Sequence, residues 1–209
     1  EFTMLEWYCA GGDYFDLMST CEALLPFVLE ALGRGAVLTV RGERIDLTPP
    51  WERLTVAEAF RRFAPLSPGA ALREGTFEEH LSVAVEPRLG RGRPTFLYDY
   101  PASCAALARR KEADPALAER FELYIAGLEL ANGFSELTDV AEQRDRFAQA
   151  RAERRALGKA DYPSAEAFLD ALGAMPPTAG IALGVDRLAM LLADAGTIDE
   201  VVAFTPEDL

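Results

Sequence analysis

The chain has 209 residues, half of them hydrophobic, and 34 Asp and Glu against 21 Lys and Arg give a formal net charge of -13. That length can bury one sizeable core. The composition excludes a bilayer-spanning apolar run, and the charge excludes a surface built to hold nucleic acid through a general basic patch.

Along the chain, residues 1–8 alternate as a strand, with Phe2, Met4, Glu6 and Tyr8 on one face and Thr3, Leu5 and Trp7 on the other. Residues 14–32 carry apolar side chains at helical spacing (Leu17, Cys21, Leu24, Leu25, Val28, Leu32), and Gly33 and Gly35 end that helix. Residues 36–41 and 44–47 form a hairpin around Gly42. Thr55 with Glu58 makes a capping box for a helix reaching Phe63. The Pro-, Gly- and Ala-rich residues 64–75 read as a loop, 77–85 as a short helix, 90–94 as a turn and 95–100 as a strand. Residues 105–110 make a short turn, and 121–130 read as one strand. Asp139 with Glu142 caps a polar helix reaching Leu157, and residues 168–172 belong to another helix. Residues 180–185 form a strand, 186–195 the closing helix and 201–204 a last edge strand. Strands joined by hairpins with helices between them predict an α+β fold around an antiparallel sheet. No Gly-x-Gly-x-x-Gly follows a strand, which argues against a dinucleotide fold.

Cys9, Cys21 and Cys104 have no metal-ligand spacing and no even count, so they read as free thiols in a reducing cytosol. His80 is the one histidine and falls on a surface helix, a poor base for a nucleophilic triad. The chemistry-bearing residues gather elsewhere. Glu129 and Glu136 are hard oxygen donors suited to Mg²⁺, and Asn132 beside Gly133, in an expected turn between them, can bond phosphate or substrate. Arg187 follows Gly184 at a strand-to-helix junction, where a guanidinium can grip phosphate and stack on a ring. Phe2 shares a strand face with Glu6 and Tyr8, so a base could stack on it while they face the same space.

In order, Phe2-Thr-Met-Leu-Glu-Trp-Tyr8, Glu129-Leu-Ala-Asn-Gly-Phe-Ser-Glu136-Leu and Gly180-Ile-Ala-Leu-Gly-Val-Asp-Arg187 resemble the catalytic core of class II aminoacyl-tRNA synthetases of the lysine type. The likeness covers nearly the whole chain. It implies the class II antiparallel sheet flanked by helices, an ATP-dependent ligase activity through an aminoacyl-adenylate, and Mg²⁺. It implies that Phe2, Leu130 and Gly184 lie against ATP, that Glu129 and Glu136 carry Mg²⁺–ATP, and that Arg187 holds the terminal phosphates, with Glu129 and Arg187 the catalytic pair. Glu6, Tyr8, Asn132, Glu136 and Ala182 would line the amino-acid pocket. The wording Leu5-Glu6-Trp7-Tyr8, the alanine at 182 and the segments Pro101-Ala102-Ser103 and Ala106-Leu107-Ala108 are nearer to the elongation factor P lysine ligases than to lysyl-tRNA synthetases. In that family the alanine accompanies a preference for β-lysine over lysine. The acceptor expected is elongation factor P, with tRNA the acceptor under the synthetase alternative; a non-catalytic synthetase-like binding module is the third reading. The resemblance places the first half of motif 2, with its α-phosphate arginine, and the dimer-building motif 1 before residue 1. Residues 1–209 are thus expected to form a catalytic domain lacking its N-terminal part, from a cytoplasmic homodimer.

Overall fold

The computed structural model describes residues 2–105 and 107–205. Its frame is a six-stranded sheet in the order β1-β8-β7-β6-β5-β4, with a separate two-stranded sheet, β2-β3. The six strands are β1 (Met4–Ala10), β4 (Glu52–Thr55), β5 (Thr95–Pro101), β6 (Leu117–Ile125), β7 (Leu128–Ser135) and β8 (Thr178–Gly184); β2 (Val37–Val40) and β3 (Glu43–Asp46) are the expected hairpin. Every neighbouring pair in the large sheet is antiparallel except β4 with β5, which is parallel. The helices are α1 (Tyr14–Ala31), α2 (Val56–Phe63), α3 (Pro68–Glu74), α4 (Phe77–His80, continued by a π turn), α5 (Val140–Ala156), α6 (Glu166–Leu172) and α7 (Val185–Ala193). This is the α+β class expected. No helix among the described residues is long and apolar enough to cross a membrane.

Local chemistry accounts for the helices foreseen. Asp13 caps α1, taking the backbone N–H groups of Phe15 and Asp16, and Thr55 and Glu58 cap each other at α2. The buried stripe of α1 is Tyr14, Leu17, Met18, Cys21, Leu25 and Leu29. Leu32, expected on that stripe, is exposed because the helix ends at Ala31.

Four expectations are corrected. Residues 121–130 are two strands, because Ala126 and Gly127 both take left-handed backbone (φ 53° and 77°) and turn β6 back as β7. An alanine in that conformation carries no sequence signal, and apolar residues run through the turn. Asn132 and Gly133 therefore lie within β7, not in a turn; a Cβ on Gly133 would meet the Phe121 ring at 2.6 Å, so the glycine serves close packing. Residues 68–74, expected as loop, form α3: Ser67 caps it, Pro68 opens it and Gly75, left-handed, closes it. These punctuating residues made the segment look like a loop. The strand β4 was not foreseen, since four residues pairing in parallel with a distant segment leave no local pattern. Residues 201–204 form no strand; a 3₁₀ turn at Ile198–Glu200 leads into an irregular end. Glu1 and Ala106, included in the expected first strand and in the ligase-like segment, lie outside the described residues.

One sheet face is covered over most of its extent, with Leu5 at the edge left exposed. Leu17, Cys21, Leu25 and Leu29 of α1, with Leu38, Ile45 and Trp51, pack on Phe96, Phe121, Leu123, Ile125 and Leu183. The opposite face is divided. Over β4, β5 and β6, helices α2 to α4 bury Phe60, Phe77, Leu81 and Val85 against Leu54, Leu97, Tyr100 and Tyr124, with Phe60 and Phe77 stacked 5.0 Å apart. Fully burying each such side chain contributes about 1.5–3 kcal/mol. Among the described residues no such helical layer lies over β1, β8 and β7.

Candidate active site

The open half of the sheet is organised in cross-strand rows. Glu6, Ala182 and Asn132 are paired across β1, β8 and β7, and Tyr8, Gly180 and Phe134 make the next row. Beyond Thr178 at its start, the central strand contributes Gly180, Ala182 and Gly184 to this face, which leaves the larger side chains of its neighbours room to converge. A Cβ on Gly180 would meet Glu136 Oε1 at 2.4 Å and the Tyr8 ring at 2.7 Å, so only glycine lets those two groups approach across the strand.

Two cavities lie on this floor. The first, of about 370 Å³, is lined by Phe2, Glu129, Leu130, Asn132, Ala182, Gly184, Arg187 and Ile198 among others. The second, of about 290 Å³, is lined by Glu6, Tyr8, Arg120, Asn132, Phe134, Glu136, Gly180 and Ala182, with Ile181 behind them. Asn132 and Ala182 line both. All ten residues singled out from the sequence border one cavity or the other. A further cavity, of about 370 Å³ between α5 and α6, holds none of them and is rimmed by Arg144 and Arg151, which pair with Glu166 and Asp161.

Tertiary hydrogen bonds bring Phe2 and Arg187 to one cavity. The Thr3 N–H donates to Asp186 Oδ2 at 2.7 Å and the Val185 N–H to the Thr3 carbonyl at 3.0 Å, tying the start of β1 to the start of α7. Phe2 remains 73% exposed, its ring face available to a ligand. Arg187 reaches the Glu129 carbonyl at 2.7 Å and Glu129 Oε2 at 3.4 Å. The atoms nearest to the space above Gly184 are those of the Arg187 side chain, at 3.5–3.6 Å.

Of the two carboxylates expected to carry Mg²⁺–ATP, Glu129 lines the first cavity and Glu136 the second. Burial pushes the Glu136 carboxyl up to about 7. Glu129 is also raised, first by burial and then by the charge of Glu122, with Arg187 opposing. Glu122 and Arg120 are the residues that sequence reasoning passed over. Glu122 is buried in β6 and accepts from Tyr100 at 2.5 Å, Tyr124 at 2.6 Å, Arg120 at 2.6 Å and Asn132 at 3.2 Å. Glu86, nearby, is raised by its own burial and then by Glu122. A signal existed: Arg120, Glu122 and Tyr124 alternate with Phe121, Leu123 and Ile125, so one face of the strand is polar within an otherwise apolar run.

This is a floor with an exposed aromatic ring, a guanidinium and acidic groups arranged around two joined cavities. The sequence family tRNA synthetases class II (D, K and N) matches residues 1–208. The chain belongs to that class II synthetase family. Lysine–tRNA ligase of Moorella thermoacetica is 41% identical over 98% of this chain and 46% of its own length, and that of Anaeromyxobacter sp. (strain K) is 39% identical over 98% and 46%. The elongation factor P–(R)-beta-lysine ligase of Salmonella paratyphi B is 40% identical over 98% of this chain and 65% of its own length. The chain thus spans about half to two-thirds of the curated relatives it matches. Those class II relatives are ligases, and their similar identities do not separate the two kinds.

Proposed function

We propose that this class II synthetase chain provides the lysine-activating floor of an ATP-dependent ligase. The observation that carries the reading is the pair of cavities meeting at Asn132 and Ala182: one presents an aromatic ring and a guanidinium, the other a pair of glutamates and a tyrosine. ATP fits the first, with adenine on Phe2 and the polyphosphate toward Arg187. The cationic amine of lysine or β-lysine fits the second, facing Glu6, Tyr8 and Glu136. At the seam, the amino-acid carboxylate oxygen would attack the α-phosphorus; the new O–P bond gives the adenylate and the bond to pyrophosphate breaks. Such a step depends on positioning and charge stabilisation more than on a protein nucleophile.

Among the described residues no group of three or more His, Cys, Asp or Glu converges as a metal cage. Mg²⁺ brought by nucleotide takes one or two carboxylates besides phosphate oxygens. Glu129 fits that need, since its carboxylate lines the cavity proposed for ATP with Arg187 beside it; Glu122, whose charge acts on Glu129, is the second carboxylate on that side. When bound, the metal would neutralise polyphosphate charge.

The acceptor proposed is a lysine side chain of elongation factor P. The methyl of Ala182 at the seam and the charge of -13 support it, because a tRNA acceptor calls for a phosphate-binding surface. Charging of tRNA-Lys is the second reading, favoured by the lysine–tRNA ligase relatives. Lysine-dependent ATP–pyrophosphate exchange in the intact protein tests activation, and transfer of each radiolabelled lysine isomer to each acceptor separates the readings. Arg187→Ala should weaken ATP binding about tenfold or more, since charge-assisted bonds are worth about 1.5–3 kcal/mol; equal affinity by calorimetry would remove Arg187 from the phosphate role.

A further inference from the structure

We propose that Arg120 is a positioning residue that sets the side-chain amide of Asn132, so that the seam between the cavities offers a ligand an N–H donor; the role in activation rests on the function proposed above. The Arg120 guanidinium spans four partners. Nη2 donates to Glu122 Oε1 at 2.6 Å, Nη1 to the Cys104 carbonyl at 2.7 Å and Nε to Asn132 Oδ1 at 3.4 Å, and the group lies 4.4 Å over the Tyr100 ring. On its other side, Asn132 Nδ2 donates to the same Glu122 Oε1 at 3.2 Å.

An amide carries one acceptor oxygen and one NH₂ group with two donors, whereas a guanidinium can only donate. With Arg120 facing its oxygen and Glu122 facing its nitrogen, only one of the two flipped orientations satisfies both neighbours. The reverse would turn N–H groups toward the guanidinium and oxygen toward oxygen. Glu122 cannot move to relieve the reverse orientation, since Tyr100 and Tyr124 hold its other oxygen. The amide therefore keeps one uncommitted N–H. Asn132 lines both cavities, so that donor is suited to an anionic oxygen at their junction, the place of a carboxylate or α-phosphate oxygen in the proposed reaction. Arg120 holds the donor from behind and through the Cys104 carbonyl fixes the loop after β5 to the same point.

Asn132 is the only asparagine in the sequence, which gives a direct test. In the 209-residue chain labelled with ¹⁵N-asparagine, one side-chain amide pair should appear, its two protons well separated in shift and one of them slow to exchange with solvent. In Arg120→Gln the separation and the protection should collapse toward those of free asparagine, and Arg120→Lys, which keeps a donor, should recover part of both. An unchanged amide pair in Arg120→Gln overturns the proposal; if that variant does not fold, an unchanged pair in Arg120→Met, which has no donor, overturns it equally. In the intact protein, Arg120→Gln should lower kcat/KM for lysine-dependent exchange about tenfold or more, yet add no more than about twofold when Asn132 is already alanine. Losses that multiply in the double variant would show that Arg120 acts independently of Asn132 and overturn it. Absence of exchange in the wild type would remove the proposed function, while the amide measurement still decides the positioning role.

Discussion

The two halves of one sheet face have the same backbone and opposite surfaces. Over β4 to β6, Phe60, Phe77, Tyr100 and Tyr124 fill the space beneath a layer of helices. Over β1, β8 and β7, the central strand shows glycine and alanine, and the side chains beside it include charged, aromatic and amide groups. The first half is built for stability and the second for occupancy, and the border between them is the Arg120–Glu122 pair in β6. Large-to-small changes should therefore cost stability on one side of that border, whereas small-to-large changes should cost binding on the other.

The sharpest way to break this contrast is Phe60→Ala. It empties a fully buried site stacked on Phe77, and should lower unfolding free energy by about 3–5 kcal/mol while leaving the KM for lysine unchanged under native conditions. Urea unfolding with parallel kinetics would check it, and a raised KM at full stability would show the halves are not separable. Gly180→Leu tests the other half. Its Cβ alone would strike Glu136 and the Tyr8 ring, so lysine affinity should fall ~10²-fold, the size of loss that follows a 1 Å misplacement; calorimetric titration giving native affinity would place the amine elsewhere.

Glu136 sharpens the comparison through pH. Its carboxyl titrates at about 7 when folded, against an ordinary 4.5, so the folded state holds the proton more tightly than the unfolded chain. The resulting cost to stability is full above pH 7, shrinks as pH falls, and is gone below pH 4.5. Glu136→Gln should thus raise the melting temperature at pH 8 by about 2–4 °C for each kcal/mol relieved, with no gain at pH 4. In the wild type, affinity for a cationic amine should fall as pH drops below 7, by at most about tenfold per unit; a flat profile between pH 8 and 5.5 would remove Glu136 from amine binding. The smallest change is Ala182→Gly at the seam. Losing one methyl should shift preference from β-lysine toward α-lysine by about tenfold, the low end of what one methyl discriminates; competition between radiolabelled isomers would read it.

Much of this was legible in the residues. The capping pairs Thr55–Glu58 and Asp139–Glu142, the hairpin around Gly42 and the alternation of β1 are local signals, decided within a few residues, and they stand in the structure. The ten residues marked for chemistry all reach the two cavities, since each sits in a segment whose motif and place in the chain are distinctive. The misreadings were also local in origin: Pro68 and Gly75 punctuate a helix but look like a loop, and Ala126 turns a hairpin without announcing it.

The sequence by itself determined the class of fold, the acidic net charge and which residues stand as candidates for chemistry, because periodicity, capping and residue type are properties of neighbouring positions. Only the tertiary structure decided how those residues are shared out. It set Glu129 and Glu136 in different cavities, brought Glu122 and Arg120 behind Asn132, and joined Phe2 to Arg187 across the chain. The physical reason is strand register: pairing of β1, β8, β7 and β6 chooses which side chains stand in one row, and it sets Glu6 beside Ala182 and Ala182 beside Asn132, residues far apart in the chain.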